Sequence, residues 1–386
     1  MSIGGSIRGS QEAGGRRRRH YARYVATVSA CCAGLLGLVG LSTSAAAGGT
    51  TWSVTDLPYQ NSEGGVPFAP LYSIGAISAS DVWAVGRVSG APLTENWNGS
   101  KWSSVALPAG PCSVFENTCQ LTGVSGDSAG DVFAVGTGTI NSESSAGFVA
   151  TPLAFHWNGS AWKAMTLPSG LSSTALQHVE AFSPTDAWAV GITGSESATV
   201  ASAEQWNGTT WTQVETPIST KGSLAINAIS GSSANDIWVV GETSTGGYRN
   251  RQVGSVIMHY NGSSWSLQTV PDNSGLIAVD ALSPSDAWTL AADGSVLNWN
   301  GTSWSVKTEE SGASTLTALS ATDLWVGGVV SIGHYNGSSW STTPTPTTIS
   351  HLSSATAFAP GHVWFAGDSV EENGDEVPVV LSTSNG

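Results

Sequence analysis

The chain has 386 residues, a formal net charge of −15 and 47 glycines. Its length would allow two or three globular domains, but an internal repeat accounts for nearly everything after residue 49. With 28 acidic against 13 basic side chains, the surface is expected to repel phosphate backbones. We therefore expect no nucleic-acid partner.

The first 47 residues differ in composition from the rest of the chain. Arginines occupy positions 16–19 and 23, an apolar stretch covers 25–41, and three alanines at 45–47 precede Gly48. This order is typical of a bacterial secretory signal peptide, which we predict for residues 1–47, with a secreted, extracellular mature protein that has no membrane span. General and twin-arginine secretion both stay open. Removal of the signal peptide takes away six arginines and Glu12, which leaves a net charge of −20.

The predicted mature part contains two cysteines, Cys112 and Cys119. In an exported chain this pair predicts a disulfide that closes one small loop, worth ~2.5 kcal/mol by the chain-entropy argument. A metal site is the alternative, although further ligands do not stand nearby in the sequence.

Two short signals recur along the mature chain. The first is an acidic residue followed two positions later by an aromatic one, at Asp81, Asp131, Asp186, Asp236, Asp286 and Asp323, with His362 in a seventh copy. The second is Asn-Gly followed by tryptophan three residues after the glycine, beginning at Asn98, Asn158, Asn207, Asn261, Asn300 and Asn336. Asn-Gly predicts a hairpin with a two-residue type I′ turn, in which both residues have positive φ. The aspartate is expected to bind nearby backbone N–H groups in a turn.

The two signals divide each repeat into four short strands, and the termini share one repeat between them. The mature chain opens with Gly49-Thr50-Thr51-Trp52, which matches Gly208-Thr209-Thr210-Trp211 inside a complete copy. Pairing this segment with the last three strands closes a ring and removes two sheet edges. We predict an all-β, seven-bladed β-propeller of four-stranded antiparallel blades over 48–386, with a closing strand at 50–58, a linker at 59–70 and blades at 71–386. We expect it to be a monomer.

One face of the predicted ring is irregular. The interval from the repeated aspartate to the next Asn-Gly ranges from 13 residues in blade 6 to 27 in blade 2, and this variation lies in the connection between the second and third strands. Those connections emerge on the same face as the links between blades. Because binding groups usually lie on loops held by a rigid scaffold, we expect the functional surface here, near blades 1 to 4 and 7.

Two of the irregular connections contain candidate ligands. Blade 4 has Tyr248, Arg249 and Arg251, which could bind a glycan or a carboxylate. Blade 7 has an acidic run at Glu371, Glu372, Asp375 and Glu376, which is either a Ca²⁺ site or a solvated group of charges. The 17 tryptophans all fall at repeat positions, and we predict that they pack between blades instead of binding sugars.

The first strand of each blade lies nearest the ring axis. An alignment of these strands makes Glu180, Asn227 and Asp280 equivalent and places His178 two residues before Glu180. These four residues are expected to line one arc of the channel. A histidine with two carboxylates could bind a metal or act in acid–base catalysis, and the alternative is a water-filled, hydrogen-bonded channel.

The order of these features resembles the bacterial neuraminidase repeat, or Asp-box-like, propellers. It is most similar to the seven-bladed photosystem II assembly-factor type and to exported actinobacterial repeat proteins. WAVG at 83–86 and 188–191 and GTSW at 301–304 carry the resemblance, which covers 50–386. The chain departs from the Asp-box two residues before each glycine, where aspartate is replaced by Trp97, Trp157, Trp206, Tyr260, Trp299 and Tyr335.

Sialidases with such repeats hold a substrate carboxylate with three arginines. The mature chain has only Arg87, Arg249 and Arg251, so the resemblance implies the fold more than that activity. Three hypotheses remain. The leading one is an exported, non-catalytic propeller that binds a glycan or a protein at its irregular face, with Tyr248, Arg249, Arg251, His178 and Asn227 as ligand-binding residues. The others are a polysaccharide hydrolase or lyase that uses His178, Glu180 and Asp280, and a structural or assembly factor.

Overall fold

The computed structural model describes residues 50–57, 69–109, 118–141, 148–171, 174–195, 198–246, 250–370 and 376–383. Several sequence predictions fall outside these ranges. They are the signal peptide, most of the 59–70 linker, Cys112 of the predicted disulfide, and the candidate ligands Tyr248, Arg249, Glu371, Glu372 and Asp375.

The described chain forms seven antiparallel sheets, one for each blade. Blade 1 contains β2 (Leu71–Ser78), β3 (Asp81–Val88), β4 (Ala91–Trp97) and β5 (Trp102–Ser104). Blade 2 contains β6 (Thr118–Ser128), β7 (Asp131–Asn141), β8 (Phe148–Trp157) and β9 (Trp162–Ala164). Blade 3 contains β10 (Thr174–Ser183), β11 (Asp186–Ser195), β12 (Ala198–Trp206) and β13 (Trp211–Val214), with β14 (Ser219–Thr220) as a short fifth strand beside β12.

The remaining blades repeat this order of strands. Blade 4 contains β15 (Ser223–Ser233), β16 (Asp236–Thr245), β17 (Gln252–Tyr260) and β18 (Trp265–Leu267). Blade 5 contains β19 (Leu276–Ser283), β20 (Asp286–Ala291), β21 (Ser295–Trp299) and β22 (Trp304–Glu309). Blade 6 contains β23 (Ala313–Ser320), β24 (Asp323–Gly328), β25 (Ser331–Tyr335) and β26 (Trp340–Pro344). Blade 7 contains β27 (Ile349–Ala359), β28 (His362–Val370), β29 (Glu376–Thr383) and β1 (Trp52–Asp56).

The N-terminal strand closes the ring, as the sequence predicts. Strand β1 pairs antiparallel with β29, from Trp52 opposite Thr383 to Asp56 opposite Val379. The predicted all-β, seven-bladed propeller of four-stranded blades is therefore confirmed. Within the described ranges, no helix has the length and hydrophobicity that crossing a bilayer would need.

Aromatic clusters hold neighbouring blades together. At six of the junctions, the aromatic residue two positions after the repeated acidic residue, or after His362 in blade 7, packs against the aromatic residues that flank the Asn-Gly loop of the next blade. Trp238 of blade 4, for example, lies 5.1 Å from Trp304 of blade 5 at 88° and 5.2 Å from Trp299. At the ring closure, Trp325 of blade 6 lies 5.7 Å from Trp52 on β1. The predicted packing role of the tryptophans is confirmed at these positions.

The Asn-Gly segment forms a longer loop than predicted. Trp97 pairs directly with Trp102, so four residues lie between the strands. Only the glycine has positive φ, 89° at Gly99, while the Asn98 side-chain oxygen accepts the N–H groups of Ser100 and Lys101 at 3.0 and 3.1 Å. The predicted type I′ turn was wrong because asparagine stabilises this loop through its side chain and not through a left-handed backbone.

The repeated aspartate also has a different partner from the one predicted. It binds a side chain on the third strand, directly before the aromatic residue that precedes Asn-Gly. The pairs are Asp81–Asn96, Asp131–His156, Asp186–Gln205, Asp236–His259, Asp286–Asn298 and Asp323–His334. The signal was present in the sequence, because every one of these third-strand residues carries an N–H donor.

A bulge in the first strand explains the glycine of the Trp-Ala-Val-Gly signal. The first strand of each blade contains a register shift, which lies at Asn227 in blade 4. A Cβ atom added to Gly241 would lie 2.0 Å from the carbonyl oxygen of Ala225, just before this bulge. The same 2.0 Å approach occurs at Gly86, Gly136 and Gly367. Glycine is therefore needed here because the strands approach closely, although its φ is not positive.

The predicted irregular connections are largely extended hairpins, which we call the arms. The arms of blades 2, 3, 4 and 7 reach the pairs Asn141–Phe148, Ser195–Ala198, Thr245–Gln252 and Val370–Glu376. In blade 5 the same pairing ends at Leu290–Val296. We call the side of the ring with these hairpins and the interblade links the arm face, and the side with the Asn-Gly loops the loop face.

We expect Trp238→Ala to lower the free energy of unfolding by about 3–5 kcal/mol, since the ring is fully buried between two blades. Urea unfolding followed by tryptophan fluorescence measures this loss. The matched control is Leu267→Ala on the outer strand of the same blade, whose side chain is 51% exposed. It should change the free energy of unfolding by less than about 0.5 kcal/mol.

Gly241→Ala should destabilise the fold by about 1–3 kcal/mol or more, because the new methyl group collides with backbone that cannot move without breaking the bulge. The control is Gly130→Ala, where an added Cβ atom meets nothing within 4 Å. Equal melting temperatures for the two variants would contradict the close-approach explanation.

Candidate functional site

A cavity of about 340 Å³ lies at the centre of the ring and is lined by the first strands of all seven blades. His178, Glu180, Asn227 and Asp280 all line it, so the structure brings the predicted channel residues together. Their proposed ligand-binding and catalytic roles stay predictions. The channel brings several titratable side chains into one wall. Two recurring kinds of hydrogen bond join neighbouring blades along this wall.

The first kind of hydrogen bond involves the bulge residue of each first strand. In four blades the side chain of this residue donates a hydrogen bond to a backbone carbonyl of the next blade. The bonds are Thr122 to Leu176, Asn227 to Leu276, Ser314 to Leu352 and Ser353 to Leu71, at 2.7–3.3 Å. Four of the seven blade junctions are joined in this way, and the last of them bridges the end of the ring to its beginning.

The second kind of hydrogen bond involves the residue six positions before the repeated acidic residue, which we call the belt residue. Four of the belt residues accept a hydrogen bond from a backbone N–H of the next blade. The bonds run from Ala181 to Ser125, from Ala281 to Ser230, from Ala318 to Asp280 and from Ala76 to Thr356, at 2.8–3.2 Å. The belt thus satisfies backbone donors that face the channel.

The structure corrects the sequence alignment of the first strands. Glu180 and Asp280 are both belt residues, opposite Trp188 and Trp288, but the belt residue of blade 4 is Ser230, opposite Trp238. Asn227 is instead a bulge residue, and its amide is already bonded to Leu276 at 2.8 Å. The alignment failed because Ala228-Ile229 resembles the recurrent small-apolar pair but lies three residues too early, whereas Ser230 is followed by Gly231 and Ser232. Counting back six residues from the acidic position would have found Ser230.

His178 is a neutral hydrogen-bond donor in the channel wall. Its Nε2 lies 3.1 Å from the carbonyl oxygen of Ile226 in blade 4. A carbonyl only accepts, so Nε2 carries the proton. Burial lowers the pKa of His178 to about 4, which leaves Nδ1 unprotonated near neutral pH.

The two channel carboxyls differ in their partners. Asp280 accepts hydrogen bonds from the Ala318 N–H at 2.8 Å and the Thr317 hydroxyl at 3.2 Å. Burial raises its pKa to about 6 even though these bonds favour the carboxylate. The Glu180 carboxyl makes no hydrogen bond to another described residue, and burial, with the nearby charge of Asp280, raises its pKa to about 8. Glu180 is therefore mostly protonated at neutral pH.

The described part of the arm face contains one of the predicted ligand-binding residues. Arg251 directly precedes Gln252 at the far end of the blade 4 arm, and its Nη2 is 2.6 Å from Oε1 of Glu242. The guanidinium is 55% exposed, but a ligand carboxylate would have to compete with Glu242 for it. Its role in binding stays a prediction.

The acidic connection of blade 7 is represented by Glu376, at the start of β29. Its charge acts on Asp368, whose pKa is raised to about 6 by burial and, to a smaller degree, by Glu376. The described residues contain no group of three or more histidine, cysteine or acidic side chains that could hold a metal ion. The Ca²⁺ hypothesis depends on residues outside those ranges.

Comparisons with known proteins show the fold. No protein-family model matches the chain, and no curated protein matches it. Solved structures match it in fold. YCF48 from Cyanidioschyzon merolae is 14% identical, with a TM-score of 0.56 over 86% of this chain and 98% of that one. A structure of YCF48 bound to a D1 peptide is equally similar, at 14% identity and TM-score 0.56 over 86% and 96% of the chains. The WD40 propeller of Doa1 is 10% identical, with a TM-score of 0.57 over 87% and 97%.

The raised pKa of Glu180 predicts a specific pH dependence of stability. In the unfolded state Glu180 ionises near the ordinary glutamate pKa of 4.5, whereas the folded state holds the proton until about 8. The stability that the protonated Glu180 carboxyl contributes to the folded state is complete below pH 4.5 and is lost as the pH rises towards 8. The melting temperature of Glu180→Gln should therefore fall less between pH 5 and pH 8 than that of the wild type. Parallel curves for the two proteins would contradict the assignment.

Proposed function

We propose that this protein is an exported, non-catalytic β-propeller that binds a protein partner through its arm face. The observation that carries the proposal is the asymmetry of the ring. Four blades extend long paired arms from one face, while the six described Asn-Gly loops on the other face all have the same length. Such variation on a constant scaffold is typical of a recognition surface.

The charges of the arm face favour a partner with a basic surface. Carboxylates stand at Glu242, Asp272, Asp293, Glu310 and Asp368 in the described arms and links. The cations in the same segments are Arg87, Lys221 and Arg251, and Arg251 is already paired with Glu242. Complementary charges would speed association and fix orientation, and salt would weaken the complex. A neutral glycan offers no such complementarity.

A structural relative supports the class of ligand. YCF48, which has the same fold, has been solved bound to a D1 peptide. A seven-bladed scaffold of this kind can therefore present a surface to a polypeptide. The identity of the partner does not transfer at 14% identity.

The proposal is tested by site-specific photo-crosslinking on the two faces of one blade. A crosslinker at Gln252, exposed on the blade 4 arm, should capture a partner from the culture supernatant or cell envelope. The matched control is Ser263, exposed in the Asn-Gly loop of the same blade. We expect one protein crosslinked from Gln252 and not from Ser263, with a yield that falls as salt is raised. Equal capture from both positions, or from Ser263 alone, would contradict an arm-face site.

A glycan array, with and without Ca²⁺, tests the glycan version of the same hypothesis. Saturable glycan binding that is lost in Arg251→Ala and retained in His178→Ala would replace the protein partner with a carbohydrate. The alternative of an assembly factor would appear as a crosslinked partner that is part of a larger complex.

The enzyme hypothesis has one structural observation in its favour, because His178, Glu180 and Asp280 line a single cavity. Glu180, protonated at neutral pH, could act as a general acid in hydrolase or lyase chemistry. Incubation with a panel of polysaccharides measures this directly. Product release that disappears in Glu180→Gln would favour an enzyme over a binding protein.

A further inference from the structure

The channel wall leaves the carboxyl of Glu180 out of its hydrogen-bond pattern. Four of the seven belt residues accept an N–H of the next blade, and Thr317 donates to Asp280. Gly75 has no side chain. Glu180 alone is a belt residue with a polar side chain and no hydrogen bond to another described residue, although it lines the cavity beside Asp280. At Ser125 and Ser230 the shorter serine side chain makes the hydrogen bond to the next blade. The wall itself therefore does not require a glutamate.

Two other groups that line the lumen, His178 and Asp280, offer hydrogen-bond acceptors. His178 uses Nε2–H on the wall, which leaves Nδ1 as an acceptor. Asp280 has two carboxylate oxygens, and one of them accepts only the Ser230 hydroxyl, at 3.4 Å. A lumen that offers acceptors on one arc suits a ligand that supplies donors.

We propose that the central channel binds a primary ammonium group between Glu180 and Asp280. The ammonium comes either from a lysine side chain of a protein or from a free aliphatic amine. The site does not depend on the arm-face partner proposed above, because all of its residues lie on the inner strands.

The geometry favours a primary ammonium over other cations. A metal ion would need three or more protein ligands, which the described residues do not group together. A guanidinium binds best to both oxygens of one carboxylate in a planar fork. In Asp280 one of these oxygens already accepts the Ala318 N–H and the Thr317 hydroxyl. An ammonium is compact and has three donors that can reach separate acceptors, and the net charge of −15 attracts cations to the protein.

Binding of an ammonium should release a proton. The titratable groups that line the lumen are Tyr72, His178, Glu180 and Asp280. Above about pH 7, Glu180 is the group among these whose charge changes most, because Asp280 is already largely ionised there. Burial raises the pKa of Tyr72 above its ordinary value of 10 and lowers the pKa of His178 to about 4, while the pKa of Asp280 is about 6. The ligand favours the ionised form of Glu180, so the affinity should rise with pH, by about five-fold between pH 7 and pH 8, where Glu180 itself becomes ionised.

Isothermal titration of the purified protein with n-butylammonium chloride tests the site. At pH 7, in two buffers with different ionisation enthalpies, we expect close to one proton released for each ligand bound. Affinity should increase from pH 6 to pH 8. Glu180→Gln should weaken binding at least ten-fold at pH 8 and abolish the proton release. Glu204→Gln is the matched control, since Glu204 is a fully buried carboxyl within blade 3 and is not part of the channel lining. It should bind like the wild type.

The absence of saturable binding at pH 8, or binding by wild type without proton release, would overturn the proposal. Neither outcome depends on the folding of a variant. Two further ligands distinguish the sources of the ammonium. If N-acetyl-lysine N-methylamide binds as tightly as butylammonium, the mouth admits a lysine within a polypeptide. If flanking peptide groups prevent binding while spermidine binds, the ligand is a free amine.

Crosslinking from Gln252 and titration of the channel are independent readouts. Glu180→Gln should leave the arm-face crosslink unchanged. Loss of the crosslink with intact ammonium binding would remove the proposed function and leave the channel site.

Discussion

The contact on which this propeller depends is the aromatic cluster between neighbouring blades. Each blade is a small twisted sheet with two apolar faces, and it cannot be stable alone. The aromatic residue after the acidic position inserts between the two aromatics that flank the next Asn-Gly loop, as Trp83 does between Trp157 and Trp162 at 5.1 Å from each. The edge-to-face arrangement fixes the angle between blades as well as their spacing. Closure of the ring follows because Trp52, from the other end of the chain, completes the cluster of Trp325.

The channel wall follows from the same repetition. Seven first strands meet at the axis, where no further strand can pair with them, and bulge and belt side chains bind the backbone of the next blade instead. A position that only joins blades needs a small hydroxyl group, as at Ser230. Glu180 and His178 depart from that requirement in one blade. Departures of this kind mark candidate functional residues, because in a repeat protein most aromatic and acidic side chains have a structural role.

Much of the fold could be predicted because its signals are local. The acidic-x-aromatic and Asn-Gly signals mark two hairpins in each repeat, and the match of residues 49–52 to 208–211 reveals the ring closure. The roles of individual residues were harder to predict. The Asp81 carboxylate binds Asn96, a residue 15 positions away, and this partner is recognisable only when the third-strand residues of all repeats are compared, since each carries an N–H donor. Asn227 was misaligned because a small-apolar pair follows it as well, although it lies three residues before the equivalent position, Ser230.

By itself, the sequence determined the number of blades, their strand order, the closure of the ring and the packing role of the tryptophans. These features depend on periodic patterns of turns and apolar residues, and each copy repeats the same evidence. Only the tertiary structure decided which residues share the channel and how each one is bonded. His178 and Glu180 meet Asp280 from two blades away, and the protonation of each depends on burial and on neighbours that no local pattern encodes. The acceptor-lined lumen therefore exists only once seven separate strands converge on one axis.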